Sequence, residues 1–179
     1  MRLLTDAIRS PIGTLHIAAR DGRLCALDFE RFRNLTLSSL AFRYGTINLE
    51  VHRDPFKISG RIRAYLAGDL AALDAVPVES GGTDFQRRVW SALRGIPPGQ
   101  TVTYAELASA AGRPAAARAA GSANALNPIA IAIPCHRVVG SNSSLTGYGG
   151  GLWRKRWLLR HEGTVLPGSV SRCRSVASR

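Results

Sequence analysis

Residues 83–123 read TDFQRRVWSALRGIPPGQTVTYAELASAAGRPAAARAAGSA, and this stretch carries the sharpest structural signals in the chain. Thr83 and Gln86 stand at capping-box spacing, in which an N-cap hydroxyl accepts from the third helical amide and that residue's side chain reaches back to the N-cap amide. Behind them Phe85, Val89, Trp90 and Leu93 fall on one helical face. Pro97-Pro98-Gly99 is a hard turn. Thr103 and Glu106 repeat the capping box and open a short helix that Gly112 ends. Pro114 stands where the first position of a third helix is expected, and AAARAAGSA over 115–123 supplies that helix. Two short helices joined by a tight glycine-containing turn read as a helix-turn-helix.

The third helix is nearly bare. A helix buried in a core fills space with large side chains, whereas one reduced to Ala, Gly and Ser lets its backbone come close to another surface. Arg118 projects from it. On this feature alone, close packing against a neighbouring helix, with Arg118 as a surface charge, is the simpler reading.

Downstream, Ile129, Ile131 and Ile133 alternate with Ala130 and Ala132, which reads as a buried strand covered on both faces. It runs into Pro134-Cys135-His136-Arg137-Val138-Val139 and then a flexible loop, SNSSLTGYGGG. A last helix is expected from Leu152 to His161, with Leu152, Trp153, Trp157 and Leu158 inward, Arg154, Lys155 and Arg156 toward solvent, and Gly163 as the stop. The final stretch, GSVSRCRSVASR, reads as a polar, basic, disordered tail. Upstream, residues 14–30 form a hairpin around Asp21-Gly22, a favoured two-residue turn. Residues 31–54 have no firm assignment. Residues 56–67 read as a helix with Ile58, Ile62, Tyr65 and Leu66 on one face and Gly68 at its end. Val76–Gly82 reads as a linker. The expected organisation is an α/β domain over 1–78, a mostly α domain over 79–166 with a helix-turn-helix and a short strand carrying a reactive cysteine, and a tail over 167–179.

Composition narrows the function classes. The chain has 179 residues and a hydrophobic fraction of 45%, enough for a core. Its sequence contains no run that could span a membrane, and MRLLTDAIRSPIG lacks the apolar stretch of a signal peptide. A cytoplasmic, nucleoid-associated location is expected. Three cysteines, at 25, 135 and 173, are too few and too scattered for a disulfide framework. No CxxC pair occurs, and His16, His52, His136 and His161 do not flank cysteines at zinc spacing. No metal and no cofactor are expected. Cys25 reads as a small core residue and Cys173 as incidental. The net charge is +12 and lies in one half: residues 1–80 hold 11 Lys/Arg and 9 Asp/Glu, while residues 81–179 hold 13 and 3. A one-sided basic field favours a polyanion such as nucleic acid; an arginine-rich soluble surface explains the charge equally well.

A cysteine followed at once by a histidine is a candidate nucleophile with a nearby base. Neighbours along a strand point to opposite faces, so Cys135 and His136 need a water or a backbone turn to relay a proton. A third group should orient the histidine. The basic half holds only Asp84, Glu106 and Glu162 as acids, and the first two stand at helix starts. Glu162 is the best orienting carboxylate.

The string IPCHRVVG, with Asn127-Pro128 before it and TGYGGG and LLRHEG after it, resembles the O6-alkylguanine-DNA alkyltransferases. The resemblance is dense over residues 83–163 and loose elsewhere. It implies a ribonuclease-H-like N-terminal domain and irreversible transfer of an alkyl group from O6-alkylguanine, with O4-alkylthymine as a further substrate, after minor-groove binding and base flipping. Cys135 would accept the alkyl group, His136 would act through water as its base, Glu162 would polarise His136, and Asn127 would brace the active-site turn. Tyr104 would help rotate the nucleotide and donate to the guanine, and Arg118 would fill the gap in the stack. Thr103, Ala119 and Gly121 would face DNA with them. Val138, Tyr148, Gly149 and Gly150 would line the guanine pocket with Tyr104. The implied partner is double-stranded DNA bearing the lesion, met by a monomer whose copies can cluster along DNA. Ala125 stands where the family often has glycine, and the N-terminal zinc ligands of some relatives are missing. Three other readings compete: a lesion-binding relative without transfer, which would lack Cys135; a helix-turn-helix regulator, which would carry base-reading side chains on the third helix; and a Cys-His hydrolase, which would have no use for Arg118.

Overall fold

The structure, a computed structural model, describes residues 1–165; the expected tail with Cys173 lies outside them. Strands β1 (Arg2–Ile8), β2 (Leu15–Arg20) and β3 (Arg23–Phe29) are followed by helix α1 (Arg33–Tyr44), strand β4 (Asn48–Val51) and helix α2 (Ile58–Leu66). The sheet runs β3-β2-β1-β4; β1 pairs antiparallel with β2 and parallel with β4. The expected hairpin is β2–β3, and Asp21 (φ 48°) and Gly22 (φ 74°) both take the positive φ that its tight turn requires.

The segment without a sequence assignment holds α1 and β4. Helix α1 sets Leu37, Leu40 and Tyr44 against a small cluster with Leu3, Ala18, Cys25 and Ala26. Its outer face carries Leu35 and Phe42, 69% and 95% exposed, so apolar residues fall all round it and blur the amphipathic period. Helix α2 starts at Ile58 and not at 56, because Phe56 and Lys57 are left-handed (φ 53° and 61°). It buries Ile58, Ile62 and Tyr65.

In the second half come α3 (Asp84–Arg94), β5 (Val102–Thr103), α4 (Tyr104–Ala110), α5 (Ala117–Ala125), β6 (Val138–Val139) and α6 (Leu152–His161). Both capping boxes form in full. Gln86 N donates to Thr83 Oγ1 (3.3 Å) and Thr83 N to Gln86 Oε1 (2.8 Å); Glu106 N donates to Thr103 Oγ1 (3.2 Å) and Thr103 N to Glu106 Oε2 (2.6 Å). Helices α3, α4 and α5 pack on one another. Helix α5 starts later than expected: Ala116 N donates to Arg113 O (2.9 Å), closing a turn over Pro114, so the proline precedes the helix and does not open it.

Two expectations are corrected. Residues 129–133 are not a strand, and Cys135 is not on one. Ala132 N bonds Ala130 O (2.8 Å) and Ile133 N bonds Ile129 O (2.9 Å), which folds the segment into a compact turn with Ile131 at φ 68°. A left-handed β-branched residue costs on the order of 1–3 kcal/mol and persists only where its surroundings enforce it. Here both faces are buried, so Ile/Ala alternation looks the same in a turn as in a covered strand. Cys135 opens one turn of 3-10 helix, Cys135–Arg137, which leads into β6, paired parallel with β5.

The inward face of α6 also differs. Leu152 and Trp153 are 45% and 53% exposed, while Lys155, Leu158 and Leu159 are buried. Lys155 can enter the interior because its Nζ donates to the carbonyls of Val138 and Thr146, partners that a periodicity argument cannot see. One apolar core joins both halves, with Ile8, Leu15, Leu27 and Phe29 meeting Val89, Leu93, Ile133 and Leu158. Among the described residues no helix is long and apolar enough to cross a membrane.

Candidate active site

Asn127 builds the platform for the cysteine. Its Nδ2 donates to Ile133 O (2.7 Å) and its Oδ1 accepts from Ile129 N (3.0 Å), so one carboxamide ties both ends of the 129–133 turn. Cys135 follows with its amide on Ile133 O (2.8 Å), 7% exposed, in the wall of a cavity of about 630 Å3. Tyr104, Tyr148, Gly149 and Gly150 share that wall, as expected of them, and so does Gly121, which was expected at the DNA-facing surface. Val138 does not: it is fully buried, and its carbonyl takes the Lys155 ammonium. Asp28, Phe29 and Thr36 complete the wall from the N-terminal half, where the sequence offered no functional signal. One glycine has a clear steric reason: a Cβ at Gly150 would fall 2.6 Å from the rings of Phe29 and Tyr148.

Behind Cys135 lies a buried polar network. His136 Nε2 stands 3.0 Å from Glu162 Oε1. Arg137 clamps the same carboxylate with Nη2 on Oε1 (2.7 Å) and Nε on Oε2 (2.9 Å), and Tyr65 donates its hydroxyl to Oε1 (2.6 Å). His136 and Glu162 side chains are 0% exposed. A neutral imidazole facing a carboxylate places its proton on Nε2 and leaves Nδ1 as an acceptor. That Nδ1 has no hydrogen-bond partner among the described residues.

Burial and charge set the ionisation states. Burial pushes the Cys135 thiol up to about 11, against a lowering hydrogen bond from Asn127 and the Lys155 charge. Burial pushes Lys155 down to about 8, against the pull of Cys135. Burial also lowers His136 below its ordinary 6.5, although Glu162 pulls it up. For Glu162 burial opposes the charge, but the hydrogen bonds and charges of His136 and Arg137 win and hold the carboxyl well below its ordinary range. The resting site is therefore a neutral thiol and a neutral imidazole, beside a fixed carboxylate and a lysine whose ammonium predominates only below about pH 8. Lys155 is the member that sequence reasoning placed in solvent; the only signal for it was its position on the last helix.

These shifts carry a stability prediction. Both His136 and Glu162 have folded-state pKa values below their unfolded values of 6.5 and 4.5. As pH falls, the unfolded chain takes up protons first, so their contribution is complete above 6.5 and is lost progressively below it. Lys155, held at about 8 in the folded state, adds a small decline just below pH 8; melting temperature should then hold to about 6.5 and decline, more steeply below 4.5. A flat curve from pH 8 to pH 4 would contradict the assignment of a buried neutral histidine.

The outer wall faces the helix-turn-helix. Thr103 is the N-cap of α4 and Tyr104 its first residue, with the ring against Gly121 of α5. Arg118 and Ala119 are exposed on α5. The helix with the bare surface thus lies beside the cavity that contains the cysteine.

Residues 84–164 match the family described as 6-O-methylguanine DNA methyltransferase, DNA binding domain. A methylated-DNA–protein-cysteine methyltransferase of Salmonella typhimurium is 46% identical over 169 residues, covering 93% of this chain and 99% of the relative. A protein of the same name from Mycobacterium tuberculosis is 44% identical over 167 residues, 92% of this chain and 94% of its own. Among solved structures, Mycobacterium tuberculosis OGT in complex with DNA matches with a TM-score of 0.73 at 40% identity over 90% of this chain and 92% of that one. O6-methylguanine-DNA methyltransferase from Pyrococcus kodakaraensis matches with a TM-score of 0.65 at 25% identity over 90% and 99%.

Proposed function

The chain belongs to the methylated-DNA–protein-cysteine methyltransferase family, which repairs DNA by direct reversal, and from that premise we propose how its own residues perform the transfer. The observation that carries the reading is Cys135 in the wall of a cavity, backed by the buried His136–Glu162 pair. The chain divides into a supporting, ribonuclease-H-like domain over 1–78 and a DNA-binding and acceptor domain over 79–166.

The lesion is an O6-alkylguanine. Its alkyl group is buried in the duplex, so the base must leave the stack, at a cost of a few kcal/mol. Helix α5 enters the narrow minor groove, where its lack of side chains allows close approach. Arg118 fills the space left by the base, and Tyr104 and the Thr103 end of α4 bear on the backbone, with Ala119 and Gly121 against the groove.

In the cavity, between Tyr104, Tyr148 and the glycines at 149 and 150, Cys135 Sγ meets the alkyl carbon. The thiol proton passes to His136 Nδ1 through one water, and Glu162 holds the imidazole in the tautomer that can receive it. The S–C bond forms as the C–O6 bond breaks, and the bonding pair goes to O6. The departing guanine takes a proton on its ring, with the Tyr104 hydroxyl and loop N–H groups as donors. Lys155 stabilises the developing thiolate without having to reorganise. The product is a thioether that no group in the site reverses, so each molecule reacts once.

Arg118→Ala tests the flipping role. If Arg118 offsets about 2 kcal/mol of unstacking, its loss slows repair of duplex DNA by about 30-fold. Reaction with free O6-benzylguanine needs no flipping and should keep its rate. Equal losses on both substrates, measured as single-turnover rates, would remove Arg118 from this role.

A further inference from the structure

We propose that Tyr65 is a positioning residue for the alkyl transfer: its hydroxyl, reaching across from α2, holds Glu162 in the orientation that presents His136 to Cys135. The inference rests on the His136–Glu162 reading above and extends it into the N-terminal half of the chain.

Glu162 Oε1 receives three donors: Tyr65 Oη at 2.6 Å, Arg137 Nη2 at 2.7 Å and His136 Nε2 at 3.0 Å. Oε2 takes Arg137 Nε at 2.9 Å. Each oxygen of an ionised carboxylate offers about two acceptor directions; three donors converging on Oε1 and one on Oε2 restrict its orientation. Arg137 and His136 come from the same one-turn helix as Cys135 and would move with it. Tyr65 alone among these donors stands on a separate element, and so it fixes the carboxylate relative to the rest of the molecule.

Tyr65 is itself immobilised. It is 1% exposed. Its carbonyl accepts from His161 Nε2 at 2.7 Å, and the His161 ring meets the Tyr65 ring edge-on at 5.3 Å. Trp157 stacks on the His161 ring, with centroids 4.8 Å apart. The residue beside Glu162 on α6 therefore grips Tyr65 while Tyr65 grips Glu162. A buried tyrosine could satisfy its hydroxyl on any backbone carbonyl; this one ends on the carboxylate behind the base.

The hydroxyl also shares the charge of Oε1 with His136. Without it, more of that charge is available to the imidazole, so imidazolium becomes easier to form. The titratable and charged groups facing this centre are His136 and Arg137 from the cysteine's helix turn, Tyr65 from α2 and His161 from α6, with Lys155 acting on His136 from farther along α6.

The test is Tyr65→Phe, which removes one oxygen atom. Single-turnover rates would be measured against pH with duplex DNA containing O6-methylguanine and with free O6-benzylguanine, normalised to the protein competent to react. The expected result is a loss of about tenfold, the scale of one hydrogen bond to a charged group, equal on both substrates. The acid limb of the rate profile should move to higher pH, and DNA affinity should stay unchanged. Ile62→Val loosens the same helix without touching the hydroxyl and should leave the pH profile in place. A wild-type profile in Tyr65→Phe, a loss confined to duplex DNA, or the same shift in Ile62→Val would overturn the proposal. If the His136–Glu162 reading itself were wrong, the wild-type protein would show no acid limb at all.

Discussion

Cys135→Ala loses alkyl transfer entirely and keeps its selective binding to duplex DNA containing O6-methylguanine. The substitution removes one sulfur from the cavity wall and leaves α5, Tyr104 and the loop glycines in place, so the surface that meets DNA is unaltered. Among the described residues no other thiol can substitute. Cys25 also borders the cavity, from β3, but its Sγ points at Arg23 O (3.6 Å), and among the described residues no imidazole pairs with it. The check is alkyl release from labelled duplex together with a binding titration. Labelling of Cys25 in the variant, or any residual repair, would show that Cys135 is not the acceptor.

Glu162→Gln is the second large effect, and it falls on stability and rate together. The substitution keeps the shape of the side chain, so no cavity opens. It removes the counter-charge of Arg137, which is 7% exposed and bound to both carboxylate oxygens. It also turns an acceptor into an NH2 group facing the donors of Arg137 or Tyr65. Breaking a buried pair by neutralising one partner costs about 3–5 kcal/mol. In a chain of this size that lowers the melting temperature by roughly 6–20 °C. The transfer rate of the folded fraction should fall by about a hundredfold or more, the scale of a lost general base, because His136 no longer has a partner that selects its tautomer. A melting temperature and rate close to wild type would mean that the buried network is not the catalytic centre.

Much of this was legible in the sequence wherever a local rule decides the structure. Asp21-Gly22 marks its turn because few other residues tolerate two positive φ angles in succession. Thr83/Gln86 and Thr103/Glu106 mark helix starts because their hydrogen bonds are made within four residues. Glu162 was reached by scarcity, with so few acids in a basic half. The rest depended on distant partners. Helix α1 was illegible because Leu35 and Phe42 are apolar and exposed. The 129–133 turn was misread because its single bridge to Leu27 of β3 stops at Ala130, and the Asn127 carboxamide and bonds within the turn take over from there. Lys155 was placed in solvent because nothing near it in sequence reveals the two carbonyls that hold it. Tyr65 was placed on an apolar face, correctly, but its hydroxyl bonds a residue 97 positions away.

The most direct test of the account is intact-protein and peptide mass spectrometry after incubation with duplex DNA containing O6-methylguanine in excess. The account predicts one added methyl group per molecule and never a second, located on the peptide carrying Cys135, with unmodified guanine restored in the DNA. An unchanged mass despite tight, lesion-selective binding, or a methyl group on another residue, would contradict it.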